Sequence, residues 1–277
     1  MLLLGSMNLT KTFILGSILL CTACMIPAGK SLAQSKSKSD KVSHAEPLYL
    51  DLVRDLGARK GEKEINIAGE FAKGKSYNKY GLLAEYEFAP INRLGLEVEA
   101  DFSFFKKNEE HLETPQNKLE CLRFSAQYTF FVSTKLKTSL AVGYTQIFEF
   151  DRPSDPIRTG LVTGTVYNPF LVAAKRWGSN FHTVLYAYPL IERNLYDNST
   201  DVDWQVNASF LYTIPQTKHF VGVEINQEII QGRYEITARP QVKIKLNENL
   251  AAGLVAGIPL TQGHEGFSSF LRLIYEL

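Results

Sequence analysis

The chain is predicted to be all-β: a transmembrane antiparallel barrel of about twelve strands over residues 63–277, behind a short, helical N-terminal segment. Three observations predict the barrel. From Lys63 to Leu277, apolar and aromatic residues fall at every second position, in runs of about ten. The connections between runs alternate short and long. The chain then ends in an amphipathic run, Phe267 to Leu277. Period-two alternation assigns one set of side chains to each face of a strand. In lipid, strands satisfy all their backbone hydrogen bonds only when the sheet closes.

The N-terminus reads as an export signal. Lys11 supplies its positive region and Phe13 to Pro27 its apolar core. Ser31-Leu32-Ala33 places small residues at the cleavage positions, so residues 1–33 are expected to be a signal peptide cut after Ala33. Of 3 Cys, two lie in this leader. Cys121 alone would remain, which excludes an intramolecular disulfide.

Residues 34–62 are expected in the periplasm. Gln34 to Ser43 is a Ser/Lys-rich linker. In the block that follows, Pro47 suits a first helical position and Gly57 a C-terminal cap. Leu48, Leu52 and Leu56 recur every four residues, so a short amphipathic helix is expected. Its proposed place is the periplasmic mouth of the barrel, as a plug or lid. A helix docked outside, or no helix, is the alternative. The run His44-Ala45-Glu46-Pro47-Leu48-Tyr49, then Leu50 and Asp51, resembles the signature of the HAEPLYID family, exported proteins of Gram-negative bacteria. Leu50 stands where the family name has Ile. The resemblance implies an outer-membrane barrel of unassigned activity. Some members carry the name of a purine-biosynthetic enzyme, phosphoribosylformylglycinamidine synthase. An export signal, with no phosphate-cradling Gly loop and no amidotransferase-like Cys/His set, lends that name no support.

The strands follow in order. The first sets Ile65, Ile67 and Phe71 against Glu64, Asn66 and Glu70, and the second sets Tyr80, Leu82, Tyr86 and Phe88 against Lys79, Glu85 and Glu87. The third is the clearest, with Leu94, Leu96, Val98, Phe102 and Phe104 against Glu97, Glu99 and Asp101. The fourth and fifth alternate Leu122, Phe124 and Tyr128 with Arg123 and Gln127, and Leu140, Val142 and Tyr144 with Ser139 and Thr145. The sixth and seventh, near Val162 to Ala174 and Phe181 to Leu190, have no clear parity. Pro169 and Pro189 interrupt them, as at a bulge or strand end. The eighth to tenth recover, with Trp204, Val206 and Phe210, then Val221, Val223 and Ile225, then Ile236, Val242 and Ile244 on one face. The eleventh spans Leu250 to Leu260, and the last sets Leu271, Leu273 and Tyr275 against Arg272 and Glu276. Tight turns at 92–93, 133–134, 215–217 and 247–249 mark the periplasmic side, and longer polar loops the outer side. The short link near 231–233 breaks that asymmetry.

The polar faces predict the lumen. Its candidate lining residues are Glu85, Glu87, Glu97, Glu99, Asp101, Arg123, Arg239, Lys243, Lys245 and Arg272. Acids come early and bases late, so the two sectors approach where the last strand meets the first. The charges either line an aqueous pore or pair into a network that fills it. Leu48, Leu52 and Leu56 are the candidate plug residues.

The expected activity is passage or binding of a small solute without catalysis. A structural or adhesive barrel with a closed lumen is the alternative, and a membrane-embedded lipid hydrolase the third reading. The 5 His show no His-x-Ser arrangement on a strand and no two within four residues, so no catalytic residue, metal ligand or cofactor is expected. The net charge of +1 gives no basic face for nucleic acid. The expected location is the outer membrane. The expected partners are its lipids and the outer-membrane assembly machinery, which would read the last strand.

Overall fold

The computed structural model describes residues 40–277 apart from 51, 75, 109–114, 151–160, 231 and 262–265. The expected signal peptide, its cleavage site, His111 and His264 lie outside the described residues.

The alternating runs form β1 (Lys63–Ala72), β2 (Tyr77–Ile91), β3 (Leu94–Lys107), β4 (Lys118–Ser133), β5 (Thr138–Phe150), β6 (Val162–Trp177), β7 (Phe181–Asn194), β8 (Thr200–Thr213), β9 (Phe220–Ile230), β10 (Arg233–Lys245), β11 (Leu250–Pro259) and β12 (Ser268–Glu276). Each strand pairs antiparallel with its chain neighbours, and β1 pairs with β12 to close the barrel. Closure leaves no exposed sheet edge.

The usual inside–outside order is inverted. On β3, Glu97, Glu99 and Ser103 are buried while Val98 and Phe104 are exposed. Lipid accepts the apolar face, so the polar face turns inward. The 92–93 turn is tight enough to hold Arg93 at φ 70°. Gly178, at φ 62°, fits the β6–β7 turn, where a β-carbon would be strained. These turns share one end of the barrel with Lys63 and Leu277, which are themselves hydrogen-bonded.

β6 and β7 run through their prolines without a bulge. The ladder pairs Tyr167 with Ile191 and resumes at Leu171 with Ala187 in the same register. Pro169 and Pro189 therefore fall on one rung, so two residues without a backbone N–H interrupt the ladder once. The inward residues of β6 are Val166, Asn168, Phe170, Val172 and Ala174. Those of β7 are His182, Val184, Tyr186 and Tyr188. Both faces of these strands are largely apolar, which is why their sequence has no clear parity.

The apolar inner wall has a partner. The segment from Asp40 to Glu62 lies within the barrel, and no described part of it is helical. The expected helix is thus replaced by an irregular path with turns, such as Ala58 N–H to the Asp55 carbonyl at 2.9 Å. The reason is competition for backbone hydrogen bonds. Ala45 N–H donates to His182 Nδ1 at 3.0 Å, Leu48 N–H to Gln241 Oε1 at 2.7 Å, and Gly57 N–H to Thr129 Oγ1 at 3.0 Å. Gln127 Nε2 donates to the Arg54 carbonyl at 2.6 Å. The leucines do not form one stripe either. Leu52 and Leu56 pack with Val172, Val184 and Tyr186, whereas Leu48 packs with Ala251, Val255 and Ile274 on the opposite side.

Candidate functional site

The lumen has two parts. At the end with the tight turns, the 40–62 segment fills it. Leu48, Leu52 and Leu56 are 2%, 2% and 1% exposed. Their burial contributes about 1.5–3 kcal/mol each. Two glycines admit the segment at close range. A β-carbon on Gly95 would lie 2.5 Å from Arg54 Cβ, and one on Gly253 2.6 Å from Leu48 Cδ2.

Ionic contacts hold the same segment. Arg54 Nη1 donates to Glu64 at 2.8 Å and to Glu87 at 3.2 Å. Burial alone would lower the Arg54 pKa, but Asp55, Glu64 and Glu87 outweigh it and keep the guanidinium charged. Lys41 Nζ lies 2.8 Å from Asp55 and 3.0 Å from Glu62. Burial would raise the Asp55 pKa, yet the Lys41 ammonium and Arg54 guanidinium hold it well below the usual carboxylate range. The Arg239 guanidinium stacks 3.4 Å from the centre of the Tyr49 ring, a favourable cation–π contact.

Beyond the segment, toward the loop end, lies a cavity of about 500 Å3. Tyr49, Leu50 and Val53 form its floor. Among the described residues its wall carries ten carboxylic acids: Glu70, Glu85, Glu97, Glu99, Asp101, Glu120, Glu149, Glu192, Asp203 and Glu228. Against them stand Lys79, Arg123 and Arg272. Each of these cations already holds a wall carboxylate. Arg272 Nη2 meets Glu85 at 2.8 and 2.9 Å. Arg123 lies 2.9 Å from Asp101 and 3.3 Å from Glu99, and Lys79 2.8 Å from Glu120. Cys121 is buried and donates through Sγ to Asp101 at 3.0 Å. Tyr186 and Tyr188 add an aromatic side to the cavity, with ring centres 5.3 Å apart.

All ten residues expected to line the lumen have inward parity on their strands. Glu85, Glu97, Glu99, Asp101, Arg123 and Arg272 reach the cavity. Glu87 instead meets the segment through Arg54. Arg239 donates to Asn226 at 2.6 Å and Ser268 at 3.1 Å. Lys245 pairs with Glu276 at 3.0 Å, near the tight-turn end. Lys243 is half-buried on the same face.

Other functional groups escaped the sequence reading. Gln127, Thr129, His182 and Gln241 hold the segment's backbone, and their only sequence signal is inward parity on their strands. Two histidines among the described residues meet a hydroxyl as an activated nucleophile would require: His44 Nε2 lies 3.0 Å from Ser139 Oγ, and His182 Nε2 3.2 Å from Thr213 Oγ1, with the other ring nitrogen of His182 taken by the Ala45 N–H. Ser139 is fully buried, and His44 Nδ1 has no hydrogen-bond partner among the described groups to orient the ring. Glu85, Glu97 and Glu99 place oxygens within 4.8 Å of one another, the spacing of a metal cluster. Arg272, Arg123 and the Ser125 hydroxyl already engage them, and no metal is assigned.

The barrel has structural relatives, and their likeness shows the fold. The KdgM porin aligns with TM-score 0.54 and 16% identity, over 77% of this chain and 99% of its own. The COG4313 outer membrane channel from Pseudomonas putida F1 aligns with TM-score 0.61 and 12% identity, over 80% and 98%. The NanC porin aligns with TM-score 0.55 and 9% identity, over 77% and 100%. No curated protein matches the sequence. A family model described as HAEPLYID-like matches residues 40–276, which takes in both the lumen segment and every strand. The chain belongs to the HAEPLYID family.

Proposed function

We propose that this chain is an outer-membrane channel for a small solute, stopped at its periplasmic mouth by residues 40–62. The observation that carries this reading is the acidic cavity, floored by the segment and extending to the loop end. An apolar outer face and the porin fold support the membrane location. The tight turns and both barrel ends then face the periplasm.

The lining charge narrows the solute to cationic or uncharged molecules. Ten acids against three already paired cations create a negative potential, which raises the local concentration of cations. The KdgM porin has been seen in complex with oligogalacturonate. A carboxylate-bearing sugar of that kind would be repelled here. No histidine among the described residues lines the cavity to activate its Ser and Thr hydroxyls.

The test is planar-bilayer recording of the mature protein beside a version lacking residues 34–61, under a KCl gradient. The shortened protein is expected to conduct more strongly and to prefer K+. Equal conductance would remove the stopper role and leave the channel. Anion preference would overturn the solute class. Silence from both, with no swelling of liposomes in small sugars, would favour a structural barrel. The ion pairs that hold the segment support that second reading.

A further inference from the structure

The tight-turn end joins two histidines, one on the segment and one on the wall. His44 and His182 meet edge to face with ring centres 6.3 Å apart. His182 Nδ1 accepts the Ala45 N–H at 3.0 Å. That nitrogen must therefore be unprotonated, and Nε2, 3.2 Å from Thr213 Oγ1, carries the ring's proton. A second proton on Nδ1 would set two donors against each other. His44 has one ring nitrogen on the buried Ser139 hydroxyl and the other buried without a partner among the described residues.

We propose that the His44–His182 contact is an acid-released latch, which docks the segment while both rings are neutral and frees it when they take up protons. The proposal rests on the reading of the segment as a channel stopper and adds how that stopper is regulated.

The surroundings oppose protonation. The charged and titratable groups acting on His44 are His182 on β7, Arg176 on β6 and Asp55 on the segment itself. Burial first, then His182 and Arg176, push the His44 pKa down to about 4, and Asp55 opposes them only in part. On β5 and β8 the neighbours are the neutral Ser139 and Thr213 hydroxyls. A released His44 would titrate near its ordinary value of 6.5. The released segment thus binds more protons below that value, so docking weakens as pH falls from about 6.5 to about 4. Over that pH range the docking equilibrium falls by about a hundredfold.

The test measures the exchange protection of the Ala45 amide, corrected for intrinsic rate, in the refolded mature protein from pH 7.5 to 4. Protection is expected to fall about a hundredfold. His44→Gln/His182→Gln, whose amide oxygens still accept hydrogen bonds, is expected to hold protection within about threefold. An equal fall in both proteins, or no fall in the wild type, overturns the latch. Should the double variant not refold, the 15N spectrum of His182 in the wild type decides. Nδ1 protonation is expected to coincide with loss of Ala45 protection. A doubly protonated ring with Ala45 still protected overturns the proposal. Bilayer current on the same samples separates the two claims. Release without current sinks the channel reading alone, and current with pH-independent protection sinks the latch alone.

Discussion

Arg272 on β12 reaches across β1 to hold both carboxylate oxygens of Glu85 on β2, at 2.8 and 2.9 Å. Both side chains are almost fully buried. The same guanidinium donates to the Leu48 carbonyl at 3.4 Å. One residue of the last strand therefore ties the closing seam to the second strand and to the lumen segment. Removing one member of such a pair strands a buried charge, whereas removing both does not. Arg272→Met is expected to cost about 3–5 kcal/mol. Arg272→Met/Glu85→Met should recover most of that loss. Urea unfolding in detergent, analysed as a double-mutant cycle, checks it.

Gly95 tests whether the segment needs its close approach to the wall. A β-branched side chain there would displace Arg54, whose Cβ would lie 2.5 Å from the new β-carbon. Gly95→Val is expected to expel the segment while leaving the barrel folded. Tryptic cleavage within residues 40–62 should accelerate at least about tenfold, the effect of roughly 1.4 kcal/mol on a docking equilibrium. Gly69→Ala is the control, because nothing lies within 4 Å of its added carbon.

The leucines should act separately. Leu48 and Leu52 belong to different clusters. Leu→Ala at either position is expected to cost about 2–5 kcal/mol. Because the two share no packing partners, their effects should add within about 0.5 kcal/mol. Hydrogen exchange across residues 40–62 measures each loss.

Asp55 sets a second acid transition, below that of the histidines. Burial raises its pKa, and Lys41 and Arg54 more than reverse this. A carboxylate held low supports docking above its ordinary pKa of 3.8. That support is lost as pH falls further, through the depressed value in the docked state. Asp55→Asn is expected to remove this lowest step and leave the step between about 6.5 and 4 in place. Protection of the Ala58 amide, which donates to the Asp55 carbonyl, reports the lower step.

Much of the wall was legible because a lipid-facing strand carries a strong period-two signal. Glu97, Glu99 and Asp101 had to share a face once Val98 and Ala100 lay between them. β6 and β7 were not legible, because Phe170, Val172 and Val184 face inward and are as apolar as the residues facing lipid. The helix expected from Leu48, Leu52 and Leu56 failed for a related reason. A four-residue spacing records that three leucines are buried, and it does not record that they are buried against opposite walls.

Alternation and turn spacing by themselves determined a twelve-stranded antiparallel barrel with a charged interior, since parity depends only on local backbone geometry. Only the tertiary structure decided what occupies that interior. The path of residues 40–62 is set by partners far along the chain, such as His182, Gln241 and Arg272, and contacts between such distant residues leave no period in the sequence.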